Sequence, residues 1–179
     1  MKPILAVAVL LALLTATVNA SDVRVLNIGD SCADVEAKEA ALGSKPIPWG
    51  RISGASAHAF KVRDFDGDVE LMYLCYDDKL FTGNYVWRFE LLDNAANSFR
   101  SVHDQLVRAY GTPFLDTPPW HVRDRAQPAI ITSEPSAYAT DWRTSRIHAH
   151  LMIVRNRGDI GWHVTLVIGP APEGAGRPH

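Results

Sequence analysis

The chain has 179 residues, 18 Lys and Arg against 20 Asp and Glu, and a hydrophobic fraction of 47%. So even a charge balance excludes the basic footprint of a nucleic-acid-binding protein. Beyond an apolar N-terminal run, about 160 residues remain, enough for one domain with a real core or for two small fused repeats.

Met1 and Lys2 give a short positive start, Ile4 to Leu14 is unbroken apolar sequence, and Val18-Asn19-Ala20 fits a signal peptidase site. Residues 1–20 therefore read as a secretory signal peptide, because the apolar run is too short to span a bilayer. The mature protein is expected to begin at Ser21. No cysteine follows the cut, so the reading is a soluble periplasmic or secreted protein without a membrane anchor. Cys32 and Cys75 are the two cysteines of the chain. In an exported protein such a pair reads as a disulfide. It closes a loop of about 44 residues, worth about 4 kcal/mol in the chain-entropy account.

Asp22 to Ile28 reads as a short strand or extended lead-in. Gly29-Asp30-Ser31 supplies an N-cap for a modest helix over 32–42, which Gly43 and Pro46 terminate. Lys45 to Ser56, with Trp49, reads as a polar loop. Three strands follow: 57–64, 69–76 and 80–91, joined by turns at Asp66-Gly67 and Asp77-Asp78-Lys79. The third places Phe81, Tyr85, Trp87, Phe89 and Leu91 on one face. Asp93 or Asn94 caps the clearest helix, whose Ala95, Phe99, Val102, Leu106 and Ala109 or Tyr110 recur at helical spacing up to Gly111 and Pro113. A loop from Thr112 to Ser136 holds five prolines and Trp120. Strands over 138–143, 146–154 and 161–168 form a second meander, and 170–179 reads as a disordered Gly/Pro tail.

Each half thus runs helix, Gly stop, Pro, a loop with a Pro-Trp pair, then three strands. The two stop glycines lie 68 residues apart and the two loop tryptophans 71. The expected organisation is a first helix-plus-three-strand unit over 21–92 and a second over 93–169. The expected fold is α+β: two helices on one face of an antiparallel sheet of about six strands, as tandem α-βββ repeats.

Ile28-Gly29-Asp30, Val35, Leu42-Gly43 with Pro46, and Tyr110-Gly111 with Pro113 resemble the helix-plus-meander units of the beta-lactamase inhibitor proteins. They also resemble those of the small outer-membrane-assembly lipoproteins, although the lipidated cysteine of the latter is missing. The resemblance implies a binding or inhibitory scaffold and supplies no catalytic residues.

Familiar catalytic and phosphate-binding motifs are absent. His103-Asp104 on the long helix point about 100° apart and read as a solvated face. Asp64 to Asp68 lacks the ligands of a calcium loop, since its twelfth position is Cys75. Two strand faces remain. The second meander puts Asp141, His148, His150 and His163 outward, with Arg146 beside them. This is a ligand set for zinc or copper, though a solvated polar face accounts for the same residues. In the first meander, a core Cys75 turns Met72, Leu74 and Tyr76 outward beside Val86 and Arg88. Such a face is interface-like, unless another element covers it. The leading expectation is a non-enzymatic, cofactor-free binder of another protein. It would use this face and the Trp49 and Trp120 loops, as an inhibitor or immunity protein for an envelope or secreted enzyme. The alternative is a small metal-binding or hydrolytic protein built on the histidine set.

Overall fold

The structure is a computed structural model. It describes residues 24, 27–49, 51–52, 54–65, 67–117, 138–155 and 161–171. The proposed signal peptide, residues 118–136 of the expected Trp120 loop and all but the start of the C-terminal tail lie outside these residues; the described start of that loop, read as irregular, contains a short strand.

Helix α1 spans Cys32–Ala41, and the Ser31 hydroxyl caps it by accepting the Asp34 N–H at 3.1 Å. Strands β1 (Lys45–Ile47), β2 (Arg51–Ile52), β3 (Ala55–Asp64), β4 (Gly67–Tyr76) and β5 (Lys79–Phe89) follow. Helix α2 spans Leu92–Tyr110, then β6 (Leu115–Thr117), β7 (Tyr138–Arg143), β8 (Ile147–Val154) and β9 (Trp162–Pro170) complete the chain. Among the described residues, no helix is long and apolar enough to cross a membrane.

The strands form one antiparallel sheet in the order β1-β3-β4-β5-β9-β8-β7-β6, with β2 also paired to β3. The last strand of each half, β5 and β9, pair at the centre, Tyr85 opposite Leu166 and Trp87 opposite Val164. The expected layout of about six strands under two helices is therefore overturned: among the described residues the sheet has nine strands. The extra ones are short. β1 and β6 occupy the two ends of the order, where they pair with the free backbone of β3 and β7. Three residues are too few to show alternation in a sequence, and Pro46 in β1 is tolerated because an edge strand need not donate on both sides.

One face of the sheet carries the core. Leu71, Tyr85, Leu166, Leu151 and Thr140 form a continuous buried row across β4, β5, β9, β8 and β7, with Trp142 beside it on β7. α2 lays Ala95, Phe99, Val102 and Leu106 on this row and packs against β5, β7, β8 and β9. Its cap differs from the expectation. The helix begins at Leu92, behind Leu91, and no side chain caps it. Gly111 closes it at φ +82°, donating its N–H to the Val107 carbonyl at 2.9 Å. His103 is also reassigned: it is buried, not solvated, lying 5.4 Å from the Trp142 ring with Nε2 3.4 Å from Asp116.

α1 is held differently. The Cys32–Cys75 disulfide joins its first residue to β4. Cys32, Val35 and Glu39 are its buried positions.

One turn and one strand depart from the sequence reading. Asp64 pairs with Gly67, which puts Phe65, at φ +48°, in the β3–β4 turn and Gly67 in β4. In β5 the register shifts opposite Leu74 and Cys75. This bulge leaves Leu80 and Tyr85 in the core but turns Phe81 out to solvent, 47% exposed. The expected single apolar face of the third strand is broken there, because a bulge reverses the side-chain alternation on one side of it.

Candidate functional site

The second face of the sheet is built from the alternate residues of the same strands. Register places Met72 of β4 beside Asn84 of β5, Val86 beside Thr165 of β9, and Thr165 beside Met152 of β8. All are half-buried. The inward positions Leu71, Tyr73 and Cys75 are in the core, so Met72, Leu74 and Tyr76 take this second face. Arg88 is exposed and forms an ion pair with Glu70. Tyr76 and Phe81, both substantially exposed, meet edge to face at 5.5 Å between centroids. Trp49 lies just beyond β1 and is 52% exposed. Trp120 lies outside the described residues.

The histidine set is split. Asp141 pairs with His150 and Arg143 with His148, two positions from the expected Asp141–His148 register but on the same face. One carboxylate oxygen, Asp141 Oδ1, accepts from His148 Nε2 at 2.7 Å and from His150 Nδ1 at 2.9 Å. His163 is not a member. It pairs with Arg88 and Val154, whereas His150 pairs with Val167, four residues along β9. At 3.3 Å per residue that is roughly 13 Å away. Among the described residues, no group of three His, Cys, Asp or Glu side chains is arranged to hold a metal ion. Asp141 stands between the two imidazoles as a hydrogen-bond acceptor, which fixes which ring nitrogen of each carries its proton and leaves the other nitrogen of each ring outside this bond.

The trio opens into a shallow pocket of about 530 Å³ lined also by Phe81, Thr82, Val167 and Gly169. Phe81 and Thr82 were missed from sequence, because only the bulge turns Phe81 towards the histidines. Val167 could have been found, since it alternates with the core residues Leu166 and Ile168.

The charges on this face have a direction. Register puts Lys45 and Lys61, Arg63, Lys79, Arg88 and Arg143 on it, against Asp68, Glu70 and Asp141. Six cations thus face three carboxylates in a chain whose overall charge is −2. The cations stand towards the margins and the thioethers and Val side chains towards the centre.

No protein family, curated protein or solved structure matches the chain in comparisons with known proteins. The functional reading therefore rests on this geometry.

Proposed function

We propose that the chain is an exported protein-binding module that docks its partner on the face of the sheet opposite α1 and α2. One observation carries the reading: half-buried Met72, Leu74, Val86, Met152 and Val167 line a continuous face framed by excess positive charge. An apolar centre with a polar rim is how specific interfaces are built. Tyr76 and Phe81 supply an aromatic anchor of the kind that carries binding energy. The Cys32–Cys75 disulfide is consistent with an oxidising compartment, and with the N-terminal sequence it supports a periplasmic or secreted location. The resemblance to inhibitor scaffolds supports the narrower form, an inhibitor or immunity protein for an envelope or secreted enzyme with an acidic docking surface.

The test compares the chain from Ser21 with a Met72→Glu, Tyr76→Glu variant. Both are used to capture proteins from periplasmic and secreted extracts. The expected result is one stoichiometric acidic protein retained by the first and lost by the variant, with the variant's circular dichroism unchanged. Its retention should weaken as salt rises, because rim charges are screened. Equal retention by the folded variant, or retention of nothing by either, overturns the interface. An enzyme that is retained with its activity untouched overturns the inhibitor form alone.

A further inference from the structure

α1 brings two carboxylates to the sheet, and they are used differently. Glu39 is buried beside a cavity of about 630 Å³ and is saturated. Arg24 Nε contacts its two oxygens at 3.0 and 3.1 Å, the Tyr73 hydroxyl donates to Oε1 at 2.5 Å, and the Ser44 hydroxyl donates to Oε2. Glu36 is exposed. It lies one turn along α1 from Cys32, which the disulfide ties to Cys75 of β4. Its side chain reaches β3.

On β3, Ser56 and His58 are two residues apart and share a face. Register sets Ser56 opposite Cys75 and His58 opposite Tyr73. Both of those partners point to α1, Cys75 through the disulfide and Tyr73 through its bond to Glu39. Residues directly opposite each other across two strands lie on one face. The Ser56 hydroxyl and the His58 ring therefore stand on the α1 side of the sheet, away from the face proposed for partner docking.

The three side chains are connected in series. His58 Nδ1 lies 2.5 Å from Glu36 Oε1, and His58 Nε2 lies 3.3 Å from Ser56 Oγ. A carboxylate only accepts, so Nδ1–H donates to Glu36, and Nε2 of the neutral ring is left to accept the Ser56 hydroxyl. Carboxylate on Nδ1 and hydroxyl on Nε2 is the order that activates a serine, and the hydroxyl bond is commonly this loose before a substrate is bound. A bond that merely latched α1 to β3 would require the Glu36–His58 pair and not the hydroxyl on the second nitrogen.

We propose that Ser56, His58 and Glu36 form an open hydrolytic triad for small carboxylic esters. Ser56 and His58 are half-buried and Glu36 is exposed, so a small ester reaches the hydroxyl from solvent. Ser56 Oγ attacks the ester carbonyl carbon as its proton passes to His58 Nε2. The adduct collapses, the bond to the alcohol oxygen breaks, and His58 returns the proton to the departing alkoxide. Water then attacks the acyl-serine and gives one proton to His58. Collapse releases the carboxylic acid, and that proton returns to Ser56 Oγ. Ester and water thus become acid and alcohol. Glu36 is a positioning residue: it holds Nδ1–H throughout and stabilises the imidazolium between steps. The disulfide also keeps the N-terminal end of α1, the positive end of its dipole, on the side of the sheet where the oxyanion forms.

The experiment treats the disulfide-bonded chain with a fluorophosphonate, which couples to activated serines with loss of fluoride, and locates the adduct by peptide mass spectrometry. The expected result is a single adduct, on Ser56. Ser56→Ala should abolish it, and His58→Gln should slow it roughly a hundredfold, the scale of a lost general base. The hydrolysis of p-nitrophenyl acetate is followed in parallel, with Ser56→Ala as the blank. Glu36→Gln keeps an acceptor for Nδ1–H but removes the charge, so it should lower kcat about tenfold with KM unchanged and the melting temperature little altered. No adduct, an adduct on other serines alone, or a Ser56 adduct formed equally fast in folded His58→Gln overturns the triad. A Glu36→Gln variant that loses stability and keeps its kcat shows that Glu36 only fastens α1, and overturns its assigned role. Partner capture on the opposite face is measured with Ser56→Ala, which leaves Met72 and Tyr76 intact, so either proposal can fail alone.

Discussion

The two helices occupy corresponding places in the two halves of the chain, α1 leading into two short strands and three long ones, α2 into one short strand and three long ones. They are attached by unlike forces. α2 buries Ala95, Phe99, Val102 and Leu106 along most of its 19 residues, so its stability is spread over a continuous apolar ridge. α1 has 10 residues and buries one aliphatic side chain, Val35, beside a half-cystine and a carboxylate. It is joined to β4 by the disulfide, and Arg24, Ser44 and Tyr73 gather on Glu39. The comparison teaches that a helix with too little apolar area can still be fixed by a covalent link and a saturated polar network. The same arrangement leaves an open cavity under it.

Removing the covalent link should expose the difference most clearly. Replacing Cys32 and Cys75 together by Ser is expected to cost about 4 kcal/mol. Hydrogen exchange should show α1 amides losing protection well before those of α2. If both helices lose protection together, α1 is not the separately anchored element described here. Phe99→Ala, which cuts into the α2 ridge, should cost about 3–4 kcal/mol in denaturant unfolding. That loss should be global and leave no ordered half. A folded α1 half persisting in this variant would mean that the single buried cluster joining both helices is energetically divisible.

Tyr73→Phe removes one donor from Glu39 while keeping the ring. A loss of about 1–3 kcal/mol is expected, because a buried carboxylate loses a hydrogen bond but retains Arg24 and Ser44. No loss would show that the network contributes little beyond Arg24. Burial also pushes the Tyr73 hydroxyl up, reinforced by its bond to Glu39 and by that group's charge. It should therefore show no tyrosinate absorbance in the folded protein through pH 11.

The smallest effect is a pH dependence. The folded pKa of Asp64 is raised above its ordinary value of 3.8. The folded state thus binds more protons than the unfolded one between those two values. Its contribution to stability is fully present below the unfolded pKa and is lost as pH rises through the folded pKa. Asp64→Asn cannot titrate, so relative to this variant the natural chain should become progressively less stable between acid and neutral pH. A difference between the two that stays constant across that window would contradict the burial of Asp64.

Much of the core was legible along the chain. The spacing of Phe99, Val102 and Leu106 announced α2, and alternation around Tyr73 and Leu151 announced the long strands. The disulfide was legible because only two cysteines exist in the chain. The sites were legible in part. Asp141, His148 and His150 share a face by period alone, but only the register separates His163 from them. The polar network beneath α1 was invisible, because Arg24, Glu39, Asp64, Tyr73 and Tyr85 come from five separate segments with no common spacing. The reading of Leu91 as core failed as well: it is 63% exposed at the start of α2.

The sequence by itself determined the two helices, the six long strands and most of the inward-facing residues, because those properties repeat every 3.6 or 2 residues and are local. The tertiary structure alone decided the number of strands, the bulge that turns Phe81 towards the histidines, and the pairing of β5 with β9. It also decided that Arg24, Ser44 and Tyr73 gather on Glu39. These follow from free edge hydrogen bonds, cross-strand register and desolvation, which depend on groups far apart in the chain.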